Sequence, residues 1–171
     1  QRQMCIRDRA QVSAFHGVNT AFTFARPFLP ADPSLLGNMR TSVMVNNFCN
    51  ANYSPASHST NFFRTQPAGC ANTAYLDVVA HEYGHAVDDQ LGGILDGGYS
   101  EGTGDMLCLL ITRQSAVGRD FRKPPMGAVR SHLRDATLAP KWPTVQNGGV
   151  HQQGWAYSGF CWELIKLLRM K

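Results

Sequence analysis

No apolar run in this 171-residue chain approaches the ~18 residues needed to cross a bilayer. The longest strongly apolar stretch is Met106-Leu107-Cys108-Leu109-Leu110-Ile111, so no membrane span is expected. The basic residues form no stripe either. The 16 Lys and Arg stand against 12 Asp and Glu, a net charge of +4, and their scatter disfavours nucleic acid as a partner. Internal repeats and low-complexity tracts are absent. The first residues lack the apolar segment of a signal peptide, but the chain begins at Gln1 and not Met, so this absence says nothing about export. Cysteine is sparse and odd in number: five residues, at least one of them without an intrachain partner.

With 43% hydrophobic residues the chain can bury one core, and a single domain, acting as a monomer, is expected. The opening Gln1-Arg2-Gln3-Met4-Cys5-Ile6-Arg7-Asp8-Arg9 has neither helical nor strand periodicity and is read as a non-native leader, residues 1–9. Residues 10–171 then form the domain. Its last segment, Trp162 to Arg169, is amphipathic and still running when the chain stops, so a C-terminal portion is expected to be missing. Cys49 and Cys70 bracket a Ser-, Asn- and Pro-rich stretch, as a disulfide closing a surface loop of an exported protein would. Cys108 and Cys161 sit in apolar helical patterns and read as buried free thiols.

Apolar residues at Val12, Phe15, Val18, Phe22 and Ala25 predict a helix with one buried stripe, ended by Pro27 and Pro30. His16 on it has no metal-spaced neighbour and reads as structural. A short strand over Thr41 to Asn46 and a hairpin of Asn50–Tyr53 with Asn61–Arg64 make a small β-rich part. Helices follow over Thr73 to Gln90, from an N-cap at Ser100 through Ile111, and after Gly148-Gly149. Arg113 to Pro143 reads as loop with a helical turn near Val129–Arg134. The fold class is α+β.

The chemistry is concentrated in His81-Glu82-Tyr83-Gly84-His85, followed by Glu101 in Tyr99-Ser100-Glu101-Gly102-Thr103-Gly104-Asp105. On a helix, positions i and i+4 share a face, so both imidazoles can reach one metal ion. Glu101 and Asp105 repeat that spacing on the next helix and supply a third ligand and a helper. Two imidazoles and one carboxylate leave a fourth tetrahedral corner open, the donor set of a catalytic zinc. Glu82 beside a ligand is the natural general base. Asp105 can accept the second ring N–H of a ligating histidine and fix its tautomer.

The segment Asp77 to Val87 resembles the zinc helix of the thermolysin and fungalysin group of gluzincin metallopeptidases, and Glu101 with Asp105 matches that group's Glu-x-x-x-Asp run. The resemblance implies a zincin-like fold: a small β-rich N-terminal part with an edge strand, the zinc-site helix, and a mainly helical C-terminal part. It implies a secreted or extracytoplasmic zinc endopeptidase with one Zn(2+) ion and a peptide or protein substrate. Asn147-Gly148-Gly149-Val150-His151 is similar to the segment whose histidine donates to the oxyanion, which gives His151 that role. Val129-Arg130-Ser131 resembles a Leu-Arg-Ser segment and makes Arg130 the substrate-binding arginine. Asn50-Ala51 resembles the Asn-Ala of the edge strand on which an extended substrate lies by β-augmentation.

Three departures accompany the likeness. The family's assisting tyrosine has no counterpart between His85 and Tyr99, leaving the oxyanion to His151, or to Tyr157. The acid that orients the family histidine is replaced by Val145 and Gln146. Asp77 matches a calcium ligand, but Arg119 stands where a partner carboxylate is expected, and calcium is not predicted. The alternative to a peptidase is a catalytically silent zinc-binding module of the same fold.

Overall fold

The computed structural model describes residues 2–30, 34–66, 69–122 and 132–169. It opens on helix α1, Arg2–Ala25, which runs through the segment expected to lie outside the fold. Once a helix is nucleated each added residue gains one hydrogen bond, so an extension needs no apolar face of its own. The stripe that α1 buries also differs from the expected one. Ala10, Ala14, Val18, Ala21 and Ala25 are buried, whereas Val12 and Phe15 are 68% and 74% exposed. Small residues win because they let α1 approach helix α3, Leu76–Gln90, closely: a Cβ on Gly17 would lie 2.8 Å from Val79 Cγ1.

A one-turn helix α2, Ser34–Gly37, leads into a three-stranded sheet of β1 Arg40–Val45, β2 Ala51–Ser54 and β3 Ser59–Phe63. The expected hairpin is present, with β2 antiparallel to β3, Ala51 opposite Phe62 and Tyr53 opposite Thr60. Its turn closes through Pro55–Ser57 and His58, which adopts a left-handed φ of 44°. β1 joins β3 in parallel, so the order is β1-β3-β2 and β2 is an edge strand. The start of β2 is held twice. Cys49 and Cys70 form the expected disulfide, and the Thr73 hydroxyl donates to Asn50 O at 3.1 Å and accepts the Phe63 N–H at 2.8 Å. That use of Thr73 is why α3 begins at Leu76 and not at Thr73.

Helix α4 spans Gly97–Thr112, and its N-cap is Asp96, not Ser100: the Asp96 carboxylate accepts the Tyr99 N–H at 2.9 Å. Ser100 is thereby left inside the first turns, free to face α3. The crossing of α3 and α4 is a backbone contact. A Cβ on Gly84 would stand 2.7 Å from Gly104 Cα, and one on Gly104 would stand 2.8 Å from His81 Nδ1.

The span expected as loop with a helical turn contains instead a two-stranded ribbon, β4 Ala116–Val117 antiparallel to β5 Arg134–Asp135, and a 3-10 turn over Ala136–Leu138. Residues 123–131, among them Arg130, lie outside the described residues. Helix α5, Val150–Arg169, follows the Gly148-Gly149 pair and packs across α4. One core joins α1, α3 and the sheet around Phe62, Val79 and Tyr83; a second, with Ala80, Cys108, Leu109 and Ile165, lies under α4 and α5. Cys108 and Cys161 are buried free thiols. No helix among the described residues is long and apolar enough to cross a membrane. The architecture is mixed α+β.

The disulfide closes a loop of sequence separation 21 that carries β2 and β3. Constraining the unfolded chain over such a loop stabilises by about 3 kcal/mol. The double variant Cys49→Ser/Cys70→Ser is expected to lose about that much in urea unfolding, and a loss under about 0.5 kcal/mol would show that the native state does not use the link.

Candidate metal centre and its cleft

Helices α3 and α4 bring His81, His85 and Glu101 together so that one ligand atom from each lies within 4.8 Å of the others. His81 Nε2 is 3.2 Å from His85 Nε2 and 3.4 Å from Glu101 Oε2, and His85 Nε2 is 3.7 Å from Glu101 Oε1. The Glu101 Oε2 atom and the His81 ring are buried, and that oxygen has no hydrogen-bond partner among the described residues. Two imidazole nitrogens and a carboxylate aimed at one point are the kind of donor set that binds metal ions. This group could hold a metal ion.

Behind the His81 ring lies a second charged layer. Its Nδ1 is 2.9 Å from Asp105 Oδ1, off the line of an ideal hydrogen bond, and Asp105 is fully buried. Arg134 on β5 clamps that carboxylate from the far side, Nε to Oδ2 and Nη2 to Oδ1, both at 2.7 Å. Burial pushes the Asp105 pKa up, but His81 and Arg134 outweigh it and hold the group down to about 2. Glu101 follows the same pattern: burial raises it, and His81, His85 and His151 bring it down to about 2. Burial lowers both histidines; Asp105 and Glu101 reverse this for His81, raised to about 10, while the charged His81 keeps His85 down at about 4. In the metal-free protein a proton on His81 therefore sits among the ligand atoms.

Glu82 turns into a cleft of about 450 Å³ beside the ligands. Burial, with the Glu101 charge adding to it, raises Glu82 to about 7, while His81, the Tyr53 backbone amide and Arg134 pull the other way. Asn50 and, from β2, Ala51, Asn52 and Tyr53 line this cleft. His151, at the first turn of α5, reaches the rim: its Nε2 is 3.4 Å from Glu101 Oε2 and its side chain is 62% exposed. Tyr157 is elsewhere, edge-on to Tyr99 with ring centroids 5.3 Å apart, and it lines a different cavity. Asp77 is buried, and the Arg119 backbone N–H donates to its Oδ2 at 3.1 Å with the guanidinium Nε at 3.9 Å, so a cation of the chain itself stands at this carboxylate.

Arg134, which the sequence reading did not name, lines the cleft, while Arg130 lies outside the described residues. Arg134 stands in the two-residue strand β5, too short to leave a periodic signal in the sequence. Asp88 was missed as well. No protein-family model and no curated protein matches this chain.

Two outcomes follow from these charges. Because the folded Glu82 pKa lies above its unfolded value of 4.5, its ionisation costs stability as pH rises from 4.5 to about 7, and the full cost is present above that window. In metal-free protein, Glu82→Gln should gain stability over the parent across that window, to a plateau on the order of 3 kcal/mol in urea unfolding at pH 8. A gain equal at both ends would contradict the assignment. Metal binding must also strip His81 of its extra proton, so zinc titration near neutral pH should release about one proton, read from calorimetry in buffers of different ionisation enthalpy. No buffer dependence would mean that His81 is already neutral.

Proposed function

We propose that this chain is a zinc-dependent endopeptidase of the thermolysin and fungalysin type, with a zincin-like fold, exported, and acting on extended peptides. The observation that carries the reading is the convergence of His81, His85 and Glu101 on a cleft that also contains the buried Glu82 and one edge of β2. His81 Nε2, His85 Nε2 and a Glu101 oxygen would hold the ion. Bound there, zinc would lower the pKa of a coordinated water to about 7 and polarise the scissile carbonyl.

The remaining work belongs to the chain. Glu82, with a pKa near 7, is matched to accept a proton from the attacking water and return it to the leaving amine. A purely structural zinc site has no use for a buried carboxylate placed beside its ligands. The edge strand β2 has β3 on one side only, so its other edge is available to pair with an extended substrate backbone. Val78, Val117, Phe121 and Leu133 give the cleft an apolar wall suited to a side chain next to the cut. His151 at the rim is placed to donate toward the oxygen on which charge develops. Arg134, with Nε and Nη2 held by Asp105, lines the cleft as a fixed cation suited to a substrate carbonyl. The Cys49–Cys70 disulfide is compatible with an oxidising, extracellular setting.

The test is zinc content together with cleavage of a denatured protein substrate. Glu82→Gln should keep stoichiometric zinc and lose about 10²- to 10⁴-fold in turnover. His151→Ala should keep zinc and lose about 10²- to 10³-fold in kcat. A parent chain that binds zinc but cleaves no faster than Glu82→Gln would make the site a silent zinc-binding module; a parent that refuses zinc would sink the reading altogether.

A further inference from the structure

The two histidines of the centre are oriented by different devices, and only one of them is a direct carboxylate contact. His81 faces Asp105. His85 Nδ1 instead lies 3.3 Å from the Ser100 hydroxyl, which donates to Asp88 Oδ2 at 2.7 Å. We propose that Ser100 and Asp88 form a relay that positions His85, fixing its proton on Nδ1 and turning its bare Nε2 toward His81 and Glu101. The inference rests on the metal-centre reading above and names two positioning residues for it.

The proton assignment follows from counting donors. A carboxylate has acceptors only, and a hydroxyl has one hydrogen. With that hydrogen given to Asp88, the Ser100 oxygen can only accept, so Nδ1 of His85 must be the donor. A neutral imidazole protonated at Nδ1 carries its lone pair on Nε2, the atom that faces the other two ligands. Asp88 cannot swing away from this duty. It is 8% exposed, its Oδ1 accepts the Ile94 N–H at 2.7 Å, and its backbone carbonyl accepts the Gly93 N–H at 2.9 Å. Gly93 and Ile94 line the cleft, so the same carboxylate ties the loop after α3 to the orientation of His85.

Partners of this kind typically change metal affinity by about 10- to 100-fold. Ser100→Ala removes the acceptor, and Asp88→Asn reverses the relay. In the asparagine variant Oδ1 stays with Ile94, the amide N–H₂ meets Ser100, and the hydroxyl hydrogen is turned onto His85 Nδ1. That places the ring proton on Nε2, the atom that must be bare. Ser100→Thr keeps the hydroxyl, and Asp89→Asn makes the same charge change one residue away with no contact to Ser100.

Two measurements test the relay. Zinc competition with a chromophoric chelator should show Kd raised about 10- to 100-fold in Ser100→Ala and Asp88→Asn, and within about twofold of the parent in Ser100→Thr and Asp89→Asn. Long-range proton–nitrogen correlation spectra of the imidazoles in metal-free protein near neutral pH should show His85 protonated at Nδ1 in the parent and at Nε2 in Asp88→Asn. A parent ring protonated at Nε2, or Ser100→Ala and Asp88→Asn binding zinc as tightly as the parent, would overturn the proposal. If the parent binds no zinc, the metal-centre reading fails while the parent spectrum still decides the relay.

Discussion

Everything at the centre depends on how closely α3 and α4 approach at Gly84 and Gly104. Two of the residues that reach the imidazoles from α4, Ser100 and Asp105, are short. Asp105 touches His81 at 2.9 Å and Ser100 meets His85 at 3.3 Å, contacts that side chains reaching only one or two bonds beyond Cβ make when the backbones approach closely. A single Cβ at Gly104 would stand 2.8 Å from the His81 ring itself. The glycines are therefore as much part of the site as the ligands, although they contribute no donor atom. They set the separation at which a serine and an aspartate can replace longer and more mobile side chains, and less rotamer freedom is lost in holding them.

The same approach concentrates buried charge. His81, Glu82, Asp105 and most of Arg134 are out of water, and isolated ions there would be strongly unfavourable. Asp105 is offset by the two-pronged Arg134 contact and by His81, and Glu101 by three histidines. Glu82 is the exception. Burial outweighs the pull of His81 and Arg134 on it and raises its pKa, and among the described residues no arginine clamps it as Arg134 clamps Asp105. A carboxylate fully neutralised by an arginine would be a poor base near neutral pH, so the destabilising position of Glu82 and its proposed proton transfers have one cause.

How much of this was legible in the sequence follows the range of the signal. His81, His85, Glu101 and Asp105 could be read because helix periodicity turns a spacing of four into a shared face without tertiary knowledge. The disulfide and the β2–β3 hairpin were legible from composition and turn residues. The α1 stripe was not, because Val12 and Phe15 outrank alanines on any hydrophobicity scale, whereas the real face was chosen by how near α3 must come. Ser100 looked like the N-cap until Asp96 was seen to fill that place four residues earlier. Arg134 was hidden among several arginines, and only the tertiary placement of Asp105 singles it out.

Asp88 and Asp89 show what an unread local signal can mean. They occupy the last turn of α3, where the helix macrodipole favours cations and where α3 has none. Two adjacent acids at that end work against the helix, so their presence calls for compensation elsewhere. Each has it. Asp88 holds Ser100 and the Ile94 amide, and Asp89 accepts the Tyr53 hydroxyl at 2.7 Å, tying the edge strand to the helix that carries the ligands. The Tyr53 backbone amide, in turn, faces Glu82. Strand β2 is thus tied at Tyr53 to both Asp89 and Glu82 of α3. A local rule broken twice in succession, at no gain to the helix, marks the residues that join the β2 edge to the face carrying His81 and His85.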